Sequence, residues 1–172
     1  MDLFNEEVYV FTPNGDLIVL GKGATALDFA FRVHTQVGQK CIGAKVNKKL
    51  VPIGHVLQSG DQVEILTSRK QKPKDDWVNM VATASARSKI RAALREDRKK
   101  LAAEGKTALR KQFKQLGIDF IQANIEALTY RLKIDSPVEM FVRFADGRLV
   151  IDRFPDHEVR GCLLYTSPSP RD

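Results

Sequence analysis

In the first 67 residues some segments have the alternating apolar pattern of strands and one has the apolar pattern of a helix. The order of these segments limits the fold more than any other feature. Thr25 and Asp28 have the spacing of a helix N-cap, apolar residues then recur on one helical face, and Gly38 is expected to end this helix after about three turns. Asn14-Gly15 is a typical hairpin turn between two strand-like segments. Segments with strand character are residues 8–12, 17–20, 41–46, 49–51 and 61–66. The order ββαβββ predicts an α+β fold in which a small sheet packs against one helix.

After residue 76 the apolar residues follow only helical spacing. Residues 85–104 are predicted to form a helix that Gly105 stops, and a second short helix is predicted to end near Gly117. A third helix follows, and Ser136 and Glu139 have the spacing of a capping box that begins a fourth. The second part of the chain is therefore predicted to be all-α.

The net charge of +7 is concentrated in the middle of the chain. Residues 69–114 carry 15 basic and 5 acidic side chains, whereas the segments before and after them are slightly acidic. Closely spaced cations act together on phosphates, so a nucleic acid is the first partner to consider. The alternative is that these residues form the solvated faces of helices, as basic segments often do.

Composition and motifs argue against several functional classes. No apolar run approaches the roughly 18 residues that cross a bilayer, and the acidic first residues lack the features of a secretion signal, so we expect a cytoplasmic location and no membrane partner. Cys41 and Cys162 have no partner at metal-ligand spacing, and the spacing of the remaining residues indicates no catalytic constellation. We therefore expect no metal, no cofactor and no catalysis by this chain alone.

Several short motifs occur at positions that are typical of one family. They are residues 11–16 (FTPNGD), 28–38 (DFAFRVHTQVG), 41–47 (CIGAKVN), 60–67 (GDQVEILT), 76–79 (DWVN) and 86–90 (ARSKI). The first four resemble the TGS domain of the RelA/SpoT family, whose members make or hydrolyse the alarmone (p)ppGpp, and the last two resemble the helical domain that follows TGS in its long members. The resemblance implies a β-grasp fold followed by an all-α segment, and it implies regulation rather than catalysis by this fragment.

The change in composition and the resemblance together predict five segments. A linker from a missing upstream region is expected at 1–7, a TGS β-grasp domain at 8–68, a basic linker at 69–76, a partial helical domain at 77–161, and a non-native disordered tail at 162–172. The tail resembles translated adapter sequence, so we expect the native chain to continue beyond about Gly161.

The resemblance implies that His34 faces the single-stranded CCA end of a deacylated tRNA, where a flat ring can stack on a base. From the residues alone, a histidine near a helix C-terminus is more typical of one that caps carbonyls or interacts with the helix dipole. Other residues expected to contact nucleic acid are Arg32, Lys45, Lys48 and Lys49 near it, and Arg87, Arg91 and Arg95 on the basic face of the following helix. The three arginines are equally suited to contact another domain of the parent protein.

The expected function is that of a regulatory fragment that senses deacylated tRNA on a stalled ribosome in the stringent response. The ordering of this region on tRNA binding would be transmitted to the catalytic domains of the parent chain. The resemblance implies that these domains transfer pyrophosphate from ATP to GDP or GTP, or hydrolyse the product. The alternative is a protein-interaction module that receives a starvation signal through acyl carrier protein, an acidic partner for which a basic surface is equally suitable, or that regulates the catalytic domains intramolecularly.

Overall fold

The structure, a computed structural model, describes residues 6–149 of the chain, which form two compact units that divide between Arg95 and Glu96. The predicted tail at 162–172 lies outside the described residues, as do the start of the predicted first linker and the end of the predicted helical domain. Within residues 6–149 there is no helix that is both long enough and apolar enough to span a bilayer.

The first unit is built on five strands in the predicted order. They are β1 (Glu7–Phe11), β2 (Leu17–Gly21), β3 (Cys41–Val46), β4 (Lys49–Val51) and β5 (Val63–Thr67). β1 and β2 form an antiparallel hairpin, and β3 lies between β4 and β5, antiparallel to both. A parallel bridge between Phe11 and Gln62 places β1 beside the start of β5, so the spatial order is β2-β1-β5-β3-β4. This mixed sheet with its helical connection confirms the predicted β-grasp fold.

The predicted three-turn helix is in fact two helices, α1 (Ala26–Val33) and α2 (Thr35–Gln39), because the chain becomes extended at His34. The His34 N–H donates to the Ala30 carbonyl at 3.2 Å, which closes α1, while its Nδ1 accepts from the Gln36 N–H at 3.1 Å, which caps α2. One residue therefore ends the first helix and begins the second.

The helices that follow the sheet are a 3₁₀ helix (Asp75–Asn79), α3 (Ala84–Gln115), α4 (Gln122–Arg131) and α5 (Pro137–Ala145). The division between the two units falls within α3. Trp77 and Ile90 are buried with Phe31 of α1 in one core cluster, and Phe29 packs against the sheet in a second cluster. The 3₁₀ helix and the first turns of α3 therefore fold with the sheet, because they cover the face of α1 that the sheet leaves open.

The predicted helix stop at Gly105 is wrong, since α3 continues through this residue to Gln115. A Cβ at Gly105 would lie 1.8 Å from the carbonyl oxygen of Phe141 in α5. Glycine is needed here because two helices of the second unit approach closely. The predicted second short helix is consequently the C-terminal part of α3.

The fourth predicted helix, α5, begins where the sequence predicts, with one difference at its cap. Ser136 Oγ accepts from the Glu139 N–H at 3.2 Å, but the Glu139 carboxylate does not complete a reciprocal capping box. It accepts instead from the guanidinium groups of Arg98 and Arg143, which lower its pKa. Arg98 is thereby fixed within the second unit by an ion pair.

Candidate nucleic-acid interface

His34 lies exposed at the junction of α1 and α2. Because its Nδ1 accepts the hydrogen bond from Gln36, the neutral ring carries its proton on Nε2, which remains a donor. A Cβ at Gly38 would lie 2.4 Å from the Phe31 ring, so glycine lets α2 pack closely against α1. From the residues alone, His34 was expected to cap carbonyls at the end of a helix, but its imidazole accepts from an amide at the start of α2 instead. This hydrogen bond fixes the orientation of an exposed aromatic ring.

Three cations lie on these two helices or bond to them. Arg32 is exposed on the last turn of α1, and Lys89 of α3 donates from Nζ to the Phe31 carbonyl at 3.4 Å, one helical turn before the imidazole. Lys40, which ends α2, donates from Nζ to the Arg69 carbonyl at 3.1 Å. We call the group His34, Arg32, Lys40 and Lys89 the α1–α2 corner. Lys40 and Lys89 were not predicted, because their positions depend on contacts that are remote in sequence.

Lys48 lies in the turn at the tip of the β3–β4 hairpin, and Lys49 begins β4 directly after it. Asn47 and Lys48 have φ of 51° and 71°, as both central residues of a type I′ turn require. β3 begins directly after α2 and extends about 17 Å to this tip, at the usual rise per residue of a strand. The structure therefore does not bring these lysines together with the α1–α2 corner. Lys45 is exposed on β3 and lies opposite Glu64 of β5, so a carboxylate faces it across the sheet.

The three predicted arginines differ in their surroundings. Arg87 is half-buried, and its guanidinium donates to the carbonyls of Val78 at 3.3 Å and Val81 at 3.2 Å. Its hydrogen bonds thus tie the 3₁₀ helix and the following turn to α3. Arg91 and Arg95 are exposed on α3 and are the two whose surroundings suit contact with a partner.

A buried carboxylate holds α3 in place beside α1. Asp28 forms the predicted capping box with Thr25, accepting from its N–H at 2.8 Å. The same carboxylate accepts from the Ala82 N–H at 2.8 Å, the Thr83 N–H at 3.0 Å and the Thr83 hydroxyl at 2.7 Å. Asp28 therefore fixes the start of α3, and with it Lys89, relative to α1 within the first unit.

Cys41 is buried at the start of β3, where its thiol donates to the Gly43 carbonyl at 3.5 Å. Burial raises the pKa of this thiol to about 11. A thiol that stays protonated in a closed core is not suited to act as a nucleophile at neutral pH.

This raised pKa predicts a loss of stability at high pH. Above the ordinary pKa of 9.0 the unfolded chain loses the thiol proton while the folded protein keeps it, so the free energy of unfolding decreases as pH rises from about 9 to about 11. We expect the decrease from this group to be roughly 2–3 kcal/mol, measured as the difference between wild type and Cys41→Ala in urea unfolding at several pH values. A difference that stays constant across this range would contradict the prediction.

Comparison with known proteins agrees with this fold. Residues 8–67 match the model of the TGS domain, and residues 93–150 match the model of the RelA/SpoT AH domain. The chain thus belongs to the class of proteins in which a TGS β-grasp domain is followed by a helical AH domain.

Curated relatives share this region at substantial identity. A guanosine-3′,5′-bis(diphosphate) 3′-pyrophosphohydrolase of Aquifex aeolicus is 41% identical over 149 residues, which are 86% of this chain and 21% of that protein. A GTP pyrophosphokinase of Escherichia coli K12 is 44% identical over 126 residues, which are 70% of this chain and 17% of that protein. The chain spans about a fifth of the length of these relatives. It belongs to the RelA/SpoT family and corresponds to the TGS and AH portion of such proteins.

Proposed function

We propose that this chain is the regulatory region of a (p)ppGpp synthetase or hydrolase, and that its α1–α2 corner binds the 3′-CCA end of deacylated tRNA on a cytoplasmic ribosome. The names of the relatives support the first part, because each describes a protein that makes or degrades a guanosine polyphosphate. The observation that carries the second part is the exposed imidazole of His34, held in one orientation by its bond to Gln36.

The geometry of this imidazole suits an unpaired RNA end. A ring whose orientation is already fixed loses little conformational freedom when a base stacks on it. Its Nε2–H is left to donate to a base or to the sugar, contacts that unstacked nucleotides offer and a duplex does not. Arg32, Lys40 and Lys89 supply positive charge around the ring for the phosphates of the same strand.

The remaining predicted cations would serve other phosphates. Lys45, Lys48 and Lys49 are too far along β3 to share a nucleotide with His34, so we assign them to the acceptor stem next to the CCA end. Arg91 and Arg95 are assigned to tRNA or ribosomal RNA beyond it. Arg87 is assigned a structural role, because its guanidinium already bonds two backbone carbonyls.

In the parent protein this binding would report starvation to the catalytic domains. A ligand shifts a conformational equilibrium only by the difference in its affinity for the two states. We propose that the tRNA-bound arrangement of this region favours the synthetase-active state of the parent chain.

The test separates the ring of His34 from its capping role. His34→Asn keeps an N-cap oxygen for α2 but removes the ring, whereas His34→Ala removes both. We expect His34→Asn to weaken binding of deacylated tRNA by about tenfold, the loss of one base stack, while leaving thermal stability close to wild type. His34→Ala should weaken binding similarly and also lower stability by about 1 kcal/mol.

His34→Phe is the matched control, because it restores a stacking ring and should recover much of the affinity that His34→Asn loses. Wild-type affinity in the Asn variant would show that His34 only caps α2. If acyl carrier protein is the partner instead, its binding should remain unchanged by all three substitutions while tRNA binding proves weak and insensitive to them.

A further inference from the structure

An exposed aromatic side chain lies at the C-terminal end of α4 in the second unit. Tyr130 is 85% exposed, the highest value among the large apolar side chains of residues 6–149. Its neighbours in the sequence, Ile125 and Leu128, are buried in the core of this unit, so α4 is held firmly by its other face. Tyr130 does not contribute to that core, and the fold does not explain an aromatic residue here.

A strained lysine follows it. Lys133 has φ of 56°, the left-handed conformation that favours glycine. The Ile134 N–H donates to the Thr129 carbonyl and the Lys133 N–H to the Tyr130 carbonyl, both at 3.1 Å, which is the bonding pattern of a Schellman motif. Glycine would serve this position with less strain, so the side chain of Lys133 is not explained by the turn that it occupies.

The tyrosine and the lysine share one cleft. Tyr130, Arg131, Lys133, Ile134 and Asp135 line a cleft of about 410 Å³. Its lining combines an exposed ring with two cations and one carboxylate, and Ile134 forms its apolar floor.

The charge of the lining favours an RNA over a protein as the occupant, because Arg131 and Lys133 stand beside the exposed ring against one carboxylate. The part of α3 that belongs to the second unit carries exposed cations at Lys99, Lys100, Lys106, Arg110, Lys111 and Lys114. An exposed ring with cations beside it, rather than an apolar groove, is typical of single-stranded nucleic-acid sites, in which aromatic side chains stack on bases and cations follow the backbone.

The geometry points to a second RNA contact in this cleft: one unpaired base stacks on Tyr130 while Lys133 neutralises an adjoining phosphate. This site goes beyond the proposed function, because it lies in the second unit and uses no residue of the α1–α2 corner. Its ligand class is an unpaired stretch of RNA of any sequence, since every base presents a stacking face.

The test uses a short fluorescent oligoadenylate and fluorescence anisotropy, with the whole chain in a His34→Asn background so that the first site contributes little. Tyr130→Ala should weaken binding by about tenfold, and Tyr130→Trp should restore it. Because Tyr130 is exposed, both variants should keep the wild-type melting temperature.

Lys133→Gly separates binding from stability, because it relieves the left-handed strain while removing the cation. We expect a higher melting temperature together with weaker binding and a salt dependence reduced by about one phosphate contact, while Lys133→Arg keeps the affinity. Unchanged affinity in both Tyr130→Ala and Lys133→Gly would overturn the proposal. So would a protein ligand whose binding depends on Tyr130 while oligoadenylate binding does not.

Discussion

Replacing Asp28 with Asn is expected to lower the free energy of unfolding of the first unit by about 2–5 kcal/mol, because at least two part-buried donors that share one oxygen lose their acceptor. The carboxylate oxygens accept five hydrogen bonds, three at Oδ2 and two at Oδ1, from Thr25, Ala82 and Thr83. An amide presents a donor in place of one oxygen, so either orientation of Asn sets donor against donor.

Trp77 is the single tryptophan and is buried in the first unit, so its fluorescence during urea unfolding reports on this unit. Asp16→Asn is the matched control, since Asp16 is exposed, and it should change stability by less than about 0.5 kcal/mol. Asp28→Asn should also increase hydrogen exchange at Ala82 and Thr83. A variant that unfolds at the wild-type urea concentration would show that this carboxylate does not join α1 to the start of α3.

Gly105→Ala is expected to destabilise the second unit by about 3 kcal/mol or more, although alanine is normally the better helix former. The new Cβ would lie 1.8 Å from the Phe141 carbonyl oxygen and 2.6 Å from its carbon, and both are backbone atoms that cannot rotate away. Either α5 moves away from α3 or the substitution is not accommodated, and both lose packing around Leu109 and Met140.

The control is the reverse exchange at an open position of the same helix. Ala108 is exposed on α3, and Ala108→Gly should cost only the intrinsic propensity difference of about 1 kcal/mol. Amide hydrogen exchange in α4 and α5 measures both variants. If Gly105→Ala proves neutral or stabilising, the close approach of the two helices is incorrect.

The strands and the first helix could be predicted because their signals are local, whereas the β-grasp arrangement was implied by the family resemblance. The Asn14-Gly15 turn, the Thr25 cap and the alternation in β5 each depend on residues that are neighbours in sequence. The break at His34 could not be predicted from periodicity, because apolar residues continue at helical spacing through Val37. The side-chain bond to Gln36 and the close packing of Gly38 on Phe31 accompany the break between α1 and α2, and neither has a signal in the spacing of apolar residues.

Errors in the second unit have a tertiary origin. A glycine between two helical segments looks the same in the sequence whether it ends a helix or lets a neighbouring helix pack closely. Gly105 does the second, because α5 packs against it. Glu139 has the spacing of a reciprocal cap, but two arginines offer its carboxylate stronger, charge-assisted bonds.

Residues of the candidate site were predicted only where one segment carries them. His34 and Arg32 adjoin in the sequence and also on the α1–α2 corner. Lys89 lies 55 residues after His34 in the sequence, and its hydrogen bond to the Phe31 carbonyl places it beside α1. No local sequence pattern indicates this contact. Lys48 and Lys49 follow the α1–α2 corner closely in the sequence but lie away from it in the structure. The extended strand β3 stands between them, and a strand separates residues further than a helix of the same length does.

Binding of this chain to one deacylated tRNA with and without its 3′-terminal CCA tests the proposed recognition most directly. If the α1–α2 corner holds the unpaired end, the truncated tRNA should bind at least about tenfold more weakly at equal salt, and His34→Asn should weaken the intact tRNA alone. Equal affinity for the intact and the truncated tRNA would contradict recognition of the 3′ end by His34.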